Sequence, residues 1–86
     1  MPEISRFLGI IIAMFYNDHN PPHFFVRYNE HKANISIKNL AILDGKLPPK
    51  VLGLVIEWAS IHQSELLKNW ELARASKPLN KVFPLE

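Results

Sequence analysis

The sequence predicts an α+β domain: an antiparallel three- to four-stranded sheet, followed by a helical C-terminal half packed on one face. Three observations predict it. Apolar and polar residues alternate through "HFFVRY" and "ANISIK", the period of a half-buried strand. From Val51 onward apolar residues recur instead in steps of three and four, the period of an amphipathic helix. Turn formers separate the early segments, and the Pro48-Pro49 pair opens the late one.

The elements follow in order. "FLGIIIAMFY", Phe7 to Tyr16, is a continuous apolar run, which fits a strand covered on both faces. It is too short to cross a bilayer, which needs roughly 20 apolar residues. Asn17-Asp18 and Asn20-Pro21-Pro22 mark a loop that lasts until His23, because proline cannot donate to a sheet ladder. In the next strand Phe24, Val26 and Tyr28 share one face, and His23, Phe25 and Arg27 the other. Asn29-Glu30 reads as a hairpin turn. Ala33, Ile35 and Ile37 then point inward, with Asn34, Ser36 and Lys38 outward. "LAILDGKL" adds a short fourth strand before a turn at Asp44-Gly45. Val51, Val55, Trp58, His62, Leu66, Trp70 and Ala73 form one helical stripe. A single helix from Pro48 to Ser76 would run about 43 Å, at about 1.5 Å per residue, too long for so small a domain. A break near Gln63-Ser64 is expected, with Ser64 as the cap of a second segment. Leu79, Val82, Phe83 and Leu85 are expected to dock the tail. The expected inward set is Ile10, Ile12, Met14, Phe24 or Phe25, Val26, Ile35, Ile37, Leu54, Val55, Trp58, Leu66 and Trp70.

With 86 residues, the chain reads as one domain: residues 1–47 a β meander, 48–76 helical, 77–86 a docked tail. Nearly half the residues are hydrophobic (48%), so a core is affordable. A chain this short buries only roughly 60% of its unfolded surface, which leaves room for stabilisation by a partner or a second copy. There is no cysteine, which excludes disulfides and thiolate metal sites and suits a cytoplasmic location. The net charge of +2 is unevenly spread. Residues 27–50 hold five bases against two acids, whereas residues 51–86 balance four against four. That middle excess makes RNA or another phosphate a candidate partner.

Taken together, "MPEISRFLGIIIAMFYNDHNPPHF", "DGKLP", "EWASIHQSELLKNWELA" and "PLNKVFPL" resemble a bacterial family, domain of unknown function 4160. The resemblance spans essentially the whole chain. It implies a candidate toxin of a toxin–antitoxin module, paired with a small antitoxin-like protein encoded nearby. It implies no particular reaction. The chain departs from the family pattern at Phe25, where a histidine is usual, and at Asn29, where glycine is usual. The first departure removes a polar group from the middle of a candidate site.

That candidate site is "NDHNPPHFFVRY", Asn17 to Tyr28. His19 and His23 could supply acid and base for RNA cleavage at the 2′-hydroxyl, since imidazole titrates near neutrality. Arg27 could grip a phosphate through paired hydrogen bonds. It stands about 13 Å from His23 along an extended strand, at about 3.3 Å per residue. A second reading makes Asp18, His19 and His23 metal ligands, with His62 folding back. The spacing matches no standard ligand set, and neither a metal nor an organic cofactor is expected. A third reading is structural, with Asn17, Asp18 and His19 bonding the backbone of a stiff turn. In that balance His19 leans structural, while His23 and Arg27, on a shared strand face, lean functional. Trp58 and Trp70 belong to the helix stripe and read as core. No glycine-rich phosphate loop or cofactor fingerprint is present. Two functions follow: a toxin-like component of a two-protein module acting on RNA, or a non-catalytic protein–protein interaction domain.

Overall fold

The computed structural model describes residues 2–86. Five strands, β1 (Glu3–Phe7), β2 (Ile10–Ala13), β3 (His23–Tyr28), β4 (His31–Ser36) and β5 (Ile42–Lys46), precede two helices, α1 (Pro49–Ile61) and α2 (Gln63–Arg74). Every strand pairs antiparallel with the next, in the order β1-β2-β3-β4-β5. The α+β class and the helical second half are as the sequence predicts. The strand count is higher, because the apolar run does not form one strand. Leu8 and Gly9 both take positive φ, 51° and 78°, and close a two-residue hairpin between Phe7 and Ile10. An unbroken apolar stretch hides such a turn, and Gly9 was its one signal.

Asp44-Gly45 is also not a turn but part of β5. Gly45 has φ of 86° and crosses so close to β4 that an added Cβ would stand 2.2 Å from the Lys32 carbonyl oxygen. The register slips between Asn34 and Ile35, so the sequence that resembles a turn is a local irregularity in the last strand. The Asn29-Glu30 turn forms as expected, with Asn29 at φ 53°.

The helices cover one face of the sheet. Trp58, fully buried, is the hub: its ring lies 5.5 Å from Phe7 and 6.1 Å from Phe24, centroid to centroid. Val26, Ile35, Val55 and Leu66 complete the centre, each with no exposed surface. Burying such a side chain contributes about 1.5–3 kcal/mol. Phe24 is the inward phenylalanine and Phe25 is half-exposed. Leu54, expected inside, is only half-buried, whereas Ile4, Phe7, Ala59 and Val82 join the core.

The helical half breaks at His62, one residue before Gln63, and α2 receives no side-chain cap from Ser64. Glu65 in the first turn of α2 instead complements the helix dipole and holds His62 Nδ1 at 2.6 Å. The break folds the two helices into a body with a radius of gyration of 11.6 Å. Beyond α2 the tail returns to the sheet. The Val82 N–H donates to the Ile4 carbonyl (2.8 Å), Lys81 Nζ donates to that of Glu3 (2.7 Å), and the Trp58 indole N–H donates to that of Phe83 (2.7 Å). Asn69, buried in α2, bonds both the N–H and the carbonyl of Asn80. Phe83 is held by its backbone alone, and its ring is 73% exposed. Among the described residues, no helix is long and apolar enough to cross a membrane.

Candidate functional site

The loop between β2 and β3 is clamped on two sides. At the C-terminal end of α2, the Asn17 N–H donates to the Ala73 carbonyl, and Asn17 Nδ2 donates to Ser76 Oγ. Asparagine suits that corner because Asn17 takes φ of 55°. On the sheet side, the Ile37 N–H donates to the Pro22 carbonyl (3.0 Å). The Asn20–Pro21 peptide is cis.

Inside this frame Asp18 serves both histidines. Its Oδ1 accepts the backbone N–H of His19 (2.9 Å) and lies 3.0 Å from His19 Nδ1. Its Oδ2 lies 2.9 Å from His23 Nε2. Partial burial acts to raise the Asp18 carboxyl; the His19 backbone N–H, the His23 hydrogen bond and the two imidazoles outweigh it and hold the carboxyl below its ordinary value.

The two histidines are otherwise unlike. His23 is buried, with its ring centroid 5.0 Å from that of Trp70. Its Nδ1 is 2.7 Å from the Pro21 carbonyl oxygen. Both ring nitrogens thus face acceptors, and both hydrogen bonds are complete only when both nitrogens carry protons. His19 is 89% exposed on its side chain, and its ring centroid is 6.0 Å from that of His23. The structure therefore brings Asp18, His19 and His23 together. Arg27 is exposed farther along β3, so it does not converge with them. By alternation His23 and Arg27 leave β3 on the same side, but the buried His23 ring packs on Trp70 of α2 while Arg27 is exposed. His62 is tied to Glu65 and packs on Trp58, away from this loop. Among the described residues no three histidine or carboxylate side chains are grouped to hold a metal ion.

A recess of about 360 Å³ opens beside the cluster, lined by Asp18, His19, Pro21, His23, Asn34, Leu43 and Asp44. Asn34 and Asp44 face each other across β4 and β5, and Asn34 Nδ2 donates to Asp44 Oδ1 (2.9 Å). Sequence reasoning placed Asn34 on the outward face but did not connect it to the histidines. The strand pairing that makes the connection spans residues far apart in the chain.

The family model described as "Domain of unknown function (DUF4160)" matches residues 9–71. The chain belongs to this family. The matched stretch contains the loop, the histidine pair and the three lining residues from β4 and β5, so the recess is built from the DUF4160 core. β1 and the tail fall outside it. No curated protein and no solved structure matches the chain.

Proposed function

We propose that this DUF4160 protein acts on RNA, as the toxin-like half of a two-protein module, with His19 as its proton-transfer group. The observation that carries the reading is the contrast within the histidine pair. His23 is buried with both nitrogens engaged, while His19 stands in solvent beside the same ionised carboxylate. Asp18 next to Nδ1 favours the tautomer that leaves His19 Nε2 free to accept a proton. In cleavage at the 2′-hydroxyl, His19 takes the hydroxyl proton as the oxygen attacks phosphorus, then returns it to the departing 5′-oxygen. His23 fixes Asp18 and contributes positive charge when both its nitrogens are protonated. Arg27, about 13 Å along the strand at about 3.3 Å per residue, contacts a neighbouring phosphate rather than the scissile one.

Expression of wild type and His19→Ala in a host, with and without the neighbouring gene product, tests this. Growth arrest and RNA cleavage are expected for wild type, relief by the neighbour, and loss of both effects in a His19→Ala protein with an unchanged melting temperature. Undiminished toxicity of His19→Ala would refute the role of His19.

A non-catalytic interaction domain is the second reading, and a different surface favours it. Ile61 and Phe83 are 65% and 73% exposed and line a recess of about 390 Å³ between α1 and the tail. Exposed apolar groups of this kind suit a protein partner. Harmless expression, with partner binding lost in Phe83→Ser and kept in His19→Ala, would favour it over the first.

A further inference from the structure

The strand pairing lines up cations on the sheet face opposite the helices. Arg27 on β3 faces Lys32 on β4, which faces Lys46 on β5. All three side chains are exposed, and none has a carboxylate within 4.0 Å among the described residues. Directly opposed like charges destabilise a sheet, so the row favours a bound polyanion. It spans about 10 Å, with strands roughly 4.8 Å apart. Arg6, paired through Ile11 to the same row, is not available, because Glu3 grips its guanidinium at 2.8 and 3.0 Å.

The next row, two residues along each strand and about 6.6 Å away, carries Phe25 opposite Asn34, and Asn34 opposite Asp44. Phe25 is half-exposed, and its ring meets Phe15 edge to face at 5.5 Å, with Phe15 40% exposed. Asn34 and Asp44 line the recess that holds His19. Cations, an aromatic platform and the histidine recess therefore succeed one another on one open face. Two acids lie in the Phe25 row: Glu3, paired through Ala13 and held by Arg6, and Asp44, whose Oδ1 accepts from Asn34 and which has no base within 4.0 Å among the described residues.

We propose that this open sheet face binds single-stranded RNA, with phosphates along Arg27, Lys32 and Lys46 and a base stacked on Phe25. The choice of RNA rests on the function proposed above. The geometry favours a single strand, because only unpaired bases can lie on an aromatic side chain of a sheet while the backbone follows the charges.

The test uses the full chain and an end-labelled 2′-O-methyl oligouridylate, which cannot be cleaved, followed by fluorescence anisotropy between 50 and 200 mM salt. Wild type is expected to bind the single strand at least tenfold more tightly than the same strand in duplex. Lys32→Gln/Lys46→Gln is expected to flatten the slope of log K against log salt by about 1.4, at about 0.7 per phosphate contact. Phe25→Leu is expected to weaken binding about tenfold. Should Phe25→Leu fail to fold, Phe15→Ala reads the same platform from an exposed position. Equal binding of duplex, an unchanged salt slope in the double variant, or binding of phosphatidylserine vesicles without the oligomer overturns the inference. Binding of the oligomer without cleavage of any RNA leaves it standing and removes the catalytic reading. RNA cleavage with the oligomer unbound does the reverse.

Discussion

Replacing Asp18 by asparagine removes a charge while keeping the shape of the side chain, and so isolates what that charge does. The carboxylate accepts from the His19 N–H and from His23 Nε2, each at 2.9 Å. Hydrogen bonds to a charged group contribute about 1.5–3 kcal/mol and neutral ones about 0.5–1.5, so two weakened bonds suggest about 2 kcal/mol. Asp18 keeps 23% of its side-chain surface in water, which screens part of this and leaves about 1 kcal/mol. In a domain this small that lowers the melting temperature by about 4–8 °C. The sign of the pH dependence follows from the carboxyl being held below its ordinary value of 3.8. Its contribution is fully present above the unfolded value and is lost as pH falls through the folded one. Urea unfolding of wild type and Asp18→Asn should therefore differ by about 1 kcal/mol near pH 7 and converge below about pH 4. Because both proteins share every other carboxylate, the difference reports Asp18 alone. A gap of constant size from pH 7 to pH 2.5, or no gap at pH 7, would refute the assignment of Asp18 as the hub.

Three further outcomes are expected. Gly45→Ala, whose Cβ would sit 2.2 Å from the Lys32 carbonyl oxygen and 2.7 Å from the Ala33 Cα, should cost about 2–4 kcal/mol in denaturant unfolding. Leu8→Asn should raise stability by about 0.5–1 kcal/mol, because Leu8 is exposed at φ 51°, where asparagine is better tolerated. Asn69→Ala removes both amide bonds to Asn80. It should cost about 1–2 kcal/mol and speed tryptic cleavage after Lys81, while the far-ultraviolet circular dichroism of the helices stays unchanged.

The parts of the fold legible in the sequence are those where burial sets a local period. Val26, Ile35, Val55, Trp58 and Leu66 are all fully buried, and each lies where alternation or the helical stripe puts it. What was not legible depends on backbone conformation or distant pairing. Leu8-Gly9 turns within an apolar run, and Asp44-Gly45 has the composition of a turn yet lies in a strand because β4 comes close enough to impose it. At the candidate site the sequence puts both histidines in one loop, but it reads His19 as structural and His23 as functional, against the ranking their exposure sets. That ranking depends on Trp70, 47 positions downstream of His23, which covers one imidazole and leaves the other in water.

The tail's grip on the first strand bears on how the chain reaches this state. Val82 meets Ile4 and Lys81 meets Glu3 across 78 residues, and Phe83 supplies the acceptor for the indole at the centre of the core. During synthesis those contacts form only after residue 83 has emerged from the ribosome. Until then Trp58 has no acceptor there, and one edge of β1 has no neighbour. Contacts of such long range slow folding and lengthen the exposure of apolar surface. Assembly of this domain is therefore timed by residues 81–83, and a fragment trimmed to residues 9–71 would lack that closure.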